Sequence, residues 1–479
     1  MSSIKKNFLY SAALTVSSFL FTFITFPYVS RVLGVQNIGI CNFVDSIINY
    51  FILFSTLGIT AIGIREIAKN RGNKKDLEES FRDIIFLNAI FTIIALIILV
   101  VLIFFVKKFY DYKELMAIGI AKVIFTFFTI EWFYKGVENF RYITIRSLII
   151  KILYVISVFL FVKHTDDYVL YYFLTTLAVV INAFFNWRYL KKLIAIKLKG
   201  FEPKRYLKPV VILGVYMILT SMYVNFNTTF LGFAANEKEV GYYSTATKLY
   251  SILLALFSSF TGVMLPRMSS LIAEGKFDEF KNITAKSYDI LFGFSFPVVI
   301  ISVIFAPQII QIIAGSGYEG AILPMRIVMP LMLVIGYEQI LVLQILMPLK
   351  KDNSILINSI IGAAVGVLLN IVLVPKYLSV GSAFTWVISE FVVLISAQYF
   401  ATRYTGIKFP YKKLGMQIAL AIPPSIACLF IHKFLHIHIA LLLLFSTLLV
   451  GVYYLIVQIK FLSNSLVINS FNKIFKLKK

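Results

Sequence analysis

Runs of about 20 apolar residues recur along the whole chain, separated by short polar segments. Each run is long enough to cross ~30 Å of hydrocarbon as an α-helix. A transmembrane β-barrel would need alternating strands of about 10 residues, and that pattern is absent. We predict fourteen spans, near residues 8–30, 40–64, 84–106, 115–134, 147–162, 168–188, 209–233, 241–265, 287–306, 322–348, 355–374, 380–401, 414–432 and 438–459. The predicted fold is an all-α polytopic membrane protein.

The composition supports a membrane protein. Of 479 residues, 59% are hydrophobic and 14% are charged, whereas a soluble domain carries about 25% charged residues. The net charge of +23 would favour nucleic acid in a soluble protein. Here the basic residues lie mostly between the apolar runs, so no nucleic-acid partner is expected. Cys41 and Cys428 lie in or beside apolar runs and predict neither a disulfide framework nor a metal site.

The distribution of basic residues predicts the orientation in the membrane. The two termini and every second loop together carry 34 of the 46 Lys and Arg residues, and the opposite loops carry 8. Because cytoplasmic loops are enriched in Lys and Arg, both termini are expected in the cytoplasm. We expect a membrane protein with many spans. A miscounted span would disturb this alternation, so the asymmetry also supports the count of fourteen.

A weak internal repeat predicts two lobes. Gly39 aligns with Gly241 and Arg65 with Arg267, both at an offset of 202 residues. The repeat makes residues 1–200 an N-lobe of six spans and residues 201–405 a C-lobe of six spans, related by a pseudo-two-fold axis along the membrane normal. Residues 406–479 then form an additional helix pair with a basic cytoplasmic tail. Coincidence among glycine-rich span ends is the alternative explanation.

Four basic residues inside apolar spans are the first candidates for a site, namely Lys122, Lys151, Lys248 and Arg326. A charge in hydrocarbon costs roughly 3 kcal/mol on insertion scales, so such residues usually face a polar cavity or a partner. We predict that Lys248, Lys122 and Arg326 line a cationic cavity that binds an anionic cargo. Lys151 lies near the cytoplasmic end of its span and fits a snorkelling side chain. Alternatively, each of the four is a snorkelling residue or a member of a structural ion pair.

Arg31 closes the first span and is a further candidate for the mouth of the cavity, or else a headgroup anchor. Carboxyl groups also occur inside spans, at Asp45, Glu131, Glu338 and Glu390. They suit H⁺ or Na⁺ coupling, or they balance the basic residues. The repeat places Asp45 opposite Thr247, so an Asp45–Lys248 pair is one alternative. No other cofactor and no metal is expected, because the spaced histidines His432, His436 and His438 have no acidic or Cys ligand nearby.

Five motifs make the chain resemble a known family. They are "FPYVSRVLGVQNIG", "GIREIAKNRG", "EWFYKGVENFRYITIRS", "VGYYSTATKLYSI" and "NIVLVPKYLSVGSAFTWVISE". Together they resemble the polysaccharide-transport branch of the multidrug/oligosaccharidyl-lipid/polysaccharide (MOP) exporter superfamily, and most of all its Wzx-like O-antigen and capsule repeat-unit flippases. The resemblance extends over the first twelve spans, in the expected order. Arg31 matches a basic position of the first motif.

The resemblance implies a transporter and not an enzyme. Its cargo would be an oligosaccharide on undecaprenyl diphosphate, moved from the cytoplasmic to the periplasmic leaflet for surface polysaccharide synthesis by alternating access. Such a head group cannot cross hydrocarbon unaided, because each unpaired polar group costs several kcal/mol there. A drug or cation antiporter of the same superfamily is one alternative, and a membrane-embedded polysaccharide polymerase or glycosyltransferase is another. A polymerase and glycosyltransferases are also expected as partner proteins.

Overall fold

The computed structural model describes residues 2–195, 202–435 and 437–461. In these ranges the chain is almost entirely helical, and the described residues contain no strand. Eleven helical segments are long and apolar enough to cross a membrane. Many of their large apolar side chains are exposed, including Phe105 at 84% and Ile395 at 68%. Hydrocarbon solvates such surfaces and water does not. The predicted multi-pass helical membrane protein is therefore confirmed.

The chain divides into two compact units, residues Met1–Gly241 (unit 1) and Tyr242–Lys479 (unit 2). The helices up to the division are α1 (Ser2–Thr56), α2 (Ile59–Asn70), α3 (Lys74–Phe105), α4 (Lys107–Asp111), α5 (Lys113–Thr129), α6 (Glu131–Gly136), α7 (Phe140–Phe161), α8 (Tyr168–Leu193) and α9 (Lys204–Ala234). Helix α10 (Glu237–Ala273) begins in unit 1 and continues into unit 2. The predicted lobe boundary at residue 200 stays a prediction.

Unit 2 continues with α11 (Phe277–Ile304), α12 (Ala306–Ile313), α13 (Ile322–Val328), α14 (Leu331–Gln339), α15 (Asp352–Thr405), α16 (Tyr411–Phe434) and α17 (Ile439–Ile456). A π-helical stretch, Ile340–Leu346, follows α14, and another, Val457–Phe461, follows α17. Helix α11 packs against α14, α16 and α17, while α15 packs against α13 and α14. The Lys413 ammonium of α16 lies 2.7 Å from the Asp289 carboxylate of α11 and fixes that contact.

Two of the helices are too long for one membrane crossing. Helix α1 has 55 residues and α15 has 54, whereas about 20 residues are enough for one crossing. Each contains one non-helical residue, Gly34 in α1 (φ 73°) and Leu378 in α15 (φ 54°). Each therefore corresponds to two predicted spans, and α9 corresponds to the predicted span 209–233. With these three assignments the described helices agree approximately with the predicted spans.

In unit 1, α1 is the central helix and packs against α3, α5, α7 and α9. A separate apolar cluster joins α2, α3 and α6. In it the rings of Phe81 and Trp132 stack with centroids 5.5 Å apart, and Phe133 meets Phe81 edge to face. Gly63 of α2 lies directly against the Trp132 ring, where any larger side chain would displace the indole. These contacts hold α2, α3 and α6 together at the position where α6 follows α5.

Candidate functional site

Lys122 and Asp45 form an ion pair between α5 and α1 in unit 1. Their side chains are 15% and 33% exposed. Asp45 also accepts hydrogen bonds from Asn49 Nδ2 (3.2 Å) and from the Tyr172 hydroxyl group (3.3 Å). The Lys122 ammonium lies 5.7 Å from the centroid of the Tyr172 ring. Two of the predicted site residues thus meet in one polar cluster, defined by Lys122, Asp45, Asn49 and Tyr172.

The local sequence explains why this cluster can form. Asp45 and Asn49 are one helical turn apart, so both point from the same face of α1. Helix α5 packs against both α1 and α8. Gly119, three residues before Lys122, lies against the Ile48 side chain of α1 with no room for a Cβ. This close approach brings the lysine of α5 to the aspartate of α1 and the tyrosine of α8.

Glu131 lies in a second polar network of unit 1, between α6, α7 and α8. Its carboxylate is 2.8 Å from Arg146 Nη2 and 3.7 Å from Lys135 Nζ. Arg146 is buried, with a side chain only 5% exposed, and also donates to Asn186 Oδ1. A buried guanidinium needs such partners, because an uncompensated charge in a dry interior is costly. Of the two uses predicted for Glu131, the geometry is that of charge pairing.

Two further basic residues of unit 1 bond to α1. The Lys151 ammonium donates to Ser18 Oγ (2.5 Å), which ties α7 to α1. The exposed Arg31 guanidinium donates to the Pro27 carbonyl one turn earlier (2.6 Å). Arg31 precedes the Gly34 kink by three residues, so its charge lies at the bend of α1.

In unit 2, Glu338 of α14 and Glu390 of α15 meet. Glu390 is 1% exposed and accepts a hydrogen bond from Trp386 Nε1 (3.0 Å). The carboxyl groups of Glu338 and Glu390 interact directly, and Tyr250 of α10 lies beside both of them. The Tyr250 ring packs edge-on against Trp386, with centroids 5.1 Å apart. These four residues form the acidic cluster of unit 2.

No basic side chain in the described part of the chain approaches the acidic cluster closely enough to form an ion pair. Two carboxylates in contact inside a protein cannot both keep their charge without a counter-ion. The Tyr250 hydroxyl group, which is also buried, has no hydrogen-bond partner among the described residues. The π-helical stretch that starts at Ile340, two residues after Glu338, adds a local irregularity of a kind frequent at functional sites.

The remaining predicted basic residues lie in unit 2. Arg326 is exposed, and its Nε donates to the Val303 carbonyl (3.1 Å) at the carboxyl end of α11. A cation at that position satisfies one of the helix's last free carbonyls and complements its dipole. Lys248 lies half-buried on α10. Among the described residues no group of three His, Cys, Asp or Glu side chains could hold a metal ion, and His436 lies outside those residues.

A profile described as polysaccharide biosynthesis protein matches residues 4–272, more than half of the chain. The chain belongs to that family. The matched region of this polysaccharide biosynthesis protein includes the Lys122–Asp45 cluster, Arg31 and Lys248, whereas Glu338 and Glu390 lie beyond it.

Two relatives of this polysaccharide biosynthesis protein bear the name "Putative O-antigen transporter". The one from Escherichia coli (strain K12) is 23% identical over 82% of this chain and 95% of its own length. The one from Shigella dysenteriae is 24% identical over 82% and 98%. Both are named as transporters and not as enzymes, which agrees with the class predicted from the motifs.

Solved structures establish the fold type. The chain superimposes on a structure titled "Lipid II flippase MurJ, inward closed conformation" with a TM-score of 0.74, covering 98% of this chain and 99% of that one at 15% identity. It matches an inward-facing multidrug resistance MATE family transporter of the MOP superfamily with a TM-score of 0.64, covering 84% and 94% at 14% identity. At these identities the likeness concerns the fold alone. The fold predicted from the sequence, an all-helical bundle of membrane spans, is therefore shared with these two transport proteins.

Sequence reasoning about this polysaccharide biosynthesis protein missed several members of the two clusters. Tyr172, Tyr250 and Trp386 carry no charge, and nothing distinguishes them from the many aromatic residues that face lipid. Arg146 was assigned to a loop because the predicted fifth span began at residue 147, whereas α7 begins at Phe140. Arg146 lies six residues after the start of α7, and this position inside a helix is what distinguishes it from a loop residue.

Proposed function

We propose that this protein is a flippase that moves undecaprenyl-diphosphate-linked oligosaccharide units from the cytoplasmic to the periplasmic leaflet by alternating access. The observation that carries the proposal is the family match over residues 4–272, joined by relatives named as O-antigen transporters along 82% of the chain. The fold shared with a lipid II flippase fits the same class of cargo. The protein acts in the inner membrane with both termini in the cytoplasm, as the distribution of Lys and Arg indicates.

The basic residues of the spans provide the chemistry for such a cargo. A diphosphate binds ammonium and guanidinium groups through charge-assisted hydrogen bonds, which are roughly twice as strong as neutral ones. In this proposal the diphosphate displaces Asp45 from Lys122, because it carries more negative charge than a single carboxylate. Asp45 thus neutralises the lysine while no cargo is bound, which limits the cost of a charge at this depth. Lys248, Arg326 and Arg31 are the other basic residues that we propose to contact the cargo.

The acidic cluster of unit 2 provides the driving force in this proposal. Glu338 and Glu390 take up a proton or Na⁺, and its release on the opposite side of the membrane is coupled to return of the empty carrier. Direct contact between two carboxyl groups without a neighbouring cation supports this use. The acidic cluster also lies outside residues 4–272, the region that matches the family profile.

Deletion of the gene tests the cargo. We expect the deletion strain to accumulate undecaprenyl-diphosphate-linked glycan that a membrane-impermeant glycosidase, added from the periplasmic side, cannot cut in intact spheroplasts. A plasmid with the wild-type gene should restore both access and surface polysaccharide. Normal export of every surface glycan in the deletion strain would contradict the proposal. Accessible but unpolymerised glycan would instead indicate a polymerase.

The same strain tests the basic residues. We expect Lys248→Ala to abolish complementation at unchanged protein level, because the half-buried lysine would no longer contact the diphosphate. Lys113→Ala is the control, since Lys113 is an exposed lysine at the start of α5 and should complement fully. Equal complementation by both variants would exclude a role of Lys248 in cargo binding.

A further inference from the structure

A cleft of about 510 Å³ opens between α7 and α8 in unit 1. It lies where α7 begins and α8 ends, on the side of the unit that the basic loops predict to be cytoplasmic. Polar residues line one end of the cleft, namely Asn139, Arg141, Tyr142, Arg146 and Tyr189. Isoleucines and Phe185 line the other end. The volume is within the usual range for a small-molecule site, about 300–1,000 Å³.

The polar end of the cleft is rigid. The rings of Tyr142 and Tyr189 stack with centroids 4.1 Å apart. The Tyr142 hydroxyl group donates to the Phe185 carbonyl (2.9 Å), and Asn139 Nδ2 donates to the Tyr189 hydroxyl oxygen (3.2 Å). Each aromatic ring is therefore held by both stacking and a hydrogen bond. A ligand here would meet a preformed surface and cause little loss of side-chain entropy on binding.

The charge of the cleft is positive. Arg146 is buried behind the rings, 5.6 Å from the Tyr142 centroid, and Glu131 balances its charge. Arg141 is exposed at the mouth and makes no hydrogen bond or ion pair within the described part of the chain. Among the residues that the structure describes, no acidic side chain lines the cleft. Arg141 thus presents an unpaired guanidinium, a group that binds phosphate through two parallel hydrogen bonds.

The other end of the cleft faces hydrocarbon. Ile145, Ile149 and Phe185 line it and are 44%, 53% and 47% exposed. Exposed apolar side chains on a membrane-spanning helix contact lipid chains. A ligand that fits both ends therefore has an anionic head and an apolar tail. Anionic lipids are abundant in the cytoplasmic leaflet, and basic pockets between transmembrane helices bind their head groups.

We propose that this cleft is a binding site for an anionic phospholipid of the bilayer, separate from the transported cargo. The head-group phosphate binds Arg141 beside the Tyr142–Tyr189 pair, and one acyl chain lies along Ile145 and Ile149. Because the bound lipid bridges α7 and α8, it stabilises unit 1. The site would make the stability of the protein depend on the lipid composition of its membrane.

Titration of the purified, delipidated full-length protein tests the site. We expect phosphatidylglycerol to raise the melting temperature and phosphatidylcholine with the same acyl chains to have little effect. In Arg141→Gln the phosphatidylglycerol concentration for half-maximal stabilisation should rise about fivefold to tenfold, the effect of losing one cation near a lipid phosphate. Arg141→Lys, which keeps the charge, should show a smaller shift.

Arg188→Gln is the matched control, because Arg188 is an exposed arginine of α8 that does not line the cleft. Its titration should follow the wild type. Equal stabilisation by both phospholipids, or unchanged binding in Arg141→Gln, would overturn the proposal. Undecaprenyl phosphate is the third ligand. Tighter Arg141-dependent binding of undecaprenyl phosphate than of phosphatidylglycerol would also overturn it, since the cleft would then serve the carrier lipid. None of these readouts requires glycan transport, so they are independent of the proposed flippase function.

Discussion

At the residue scale, the main feature is how the few charged residues inside the spans are paired. Lys122 pairs with Asp45, and Glu338 with Glu390. The first pair combines opposite charges and is electrically neutral. The second combines like charges and is incomplete without a proton or cation. Because of this difference in charge, we propose that the Lys122–Asp45 pair binds cargo and that the Glu338–Glu390 pair serves coupling.

The Lys122–Asp45 pair gives a test that separates charge balance from transport. Lys122→Met leaves the Asp45 carboxylate without a counter-ion, so we expect a loss of roughly 2 kcal/mol of stability, less than for a fully buried pair because both side chains are partly exposed. Lys122→Met/Asp45→Asn removes both charges and should regain most of that stability. Melting temperatures of the purified proteins measure these changes.

Transport should not recover in the double variant if Lys122 contacts the diphosphate. Complementation of the deletion strain reads this out at matched protein level, with Lys113→Met as the control. If the double variant restores both stability and transport, the pair serves only to balance charge and does not bind cargo. Asp45→Asn by itself should bind cargo but return slowly to the empty state, because the lysine keeps its diphosphate longer.

The acidic cluster predicts the opposite relation between stability and activity. Glu390→Gln removes one of two like charges in contact, so we expect unchanged or slightly higher stability. Transport should nevertheless lose its dependence on an imposed H⁺ or Na⁺ gradient, measured with a lipid-linked glycan in proteoliposomes. Glu338→Gln should behave in the same way. Glu274→Gln, an exposed position in the loop after α10, should keep the wild-type dependence. Full gradient dependence in both single variants would contradict the coupling role.

At the element scale, the glycines that indicate a repeat make an unusually close contact. A Cβ on Gly39 of α1 would overlap the Glu237 carbonyl, and a Cβ on Gly241 of α10 would overlap the Val35 carbonyl. The alignment offset of 202 residues also relates Val35 to Glu237. Equivalent residues therefore contact each other reciprocally, as a local two-fold relation between two helix segments requires. The predicted repeat of two six-span lobes stays a prediction.

This contact makes the two glycines sensitive to the smallest substitution. Gly39→Ala and Gly241→Ala each force a backbone carbonyl away, so we expect each to cost about 2–3 kcal/mol. Gly262→Ala is the control on the same α10, because nothing lies within 4 Å of a Cβ there. It should raise stability by about 0.5–1 kcal/mol, since alanine favours a helix more than glycine does. Similar melting temperatures for all three variants would show that the contact is loose.

Element boundaries also show where sequence reasoning reaches its limit. The glycine at position 34 indicates a possible bend in the sequence, because glycine adopts a positive φ, here 73°, more readily than other residues. Leu378 gives no such signal, because a leucine rarely adopts a positive φ. The segments 31–39 and 375–379 were predicted as loops between spans, and each contains the non-helical residue at which α1 or α15 is kinked. Hydropathy locates apolar runs, but it does not distinguish a short polar loop from a polar kink.

At the scale of the whole molecule, the class and fold could be predicted because they depend on properties summed over many residues. Fourteen apolar runs and the asymmetry of Lys and Arg tolerate local errors. The site could be predicted only in part. Asp45, Lys122, Glu338 and Glu390 are conspicuous as charges inside apolar runs, but their pairing depends on helix packing between positions far apart in sequence. The Asp45–Lys122 partnership, 77 residues apart, illustrates this.

The orientation of the molecule in the membrane can be tested by cysteine labelling. Both native cysteines, Cys41 and Cys428, are buried, so a cysteine introduced in a loop should dominate labelling by a membrane-impermeant maleimide. Asp166→Cys lies in an exposed loop expected in the periplasm and should react in intact spheroplasts. Lys276→Cys, also exposed, lies in a basic loop expected in the cytoplasm and should react only after the membrane is permeabilised. The opposite result at both positions would invert the topology, and with it the direction of transport and the leaflet in which the α7–α8 cleft takes up its lipid.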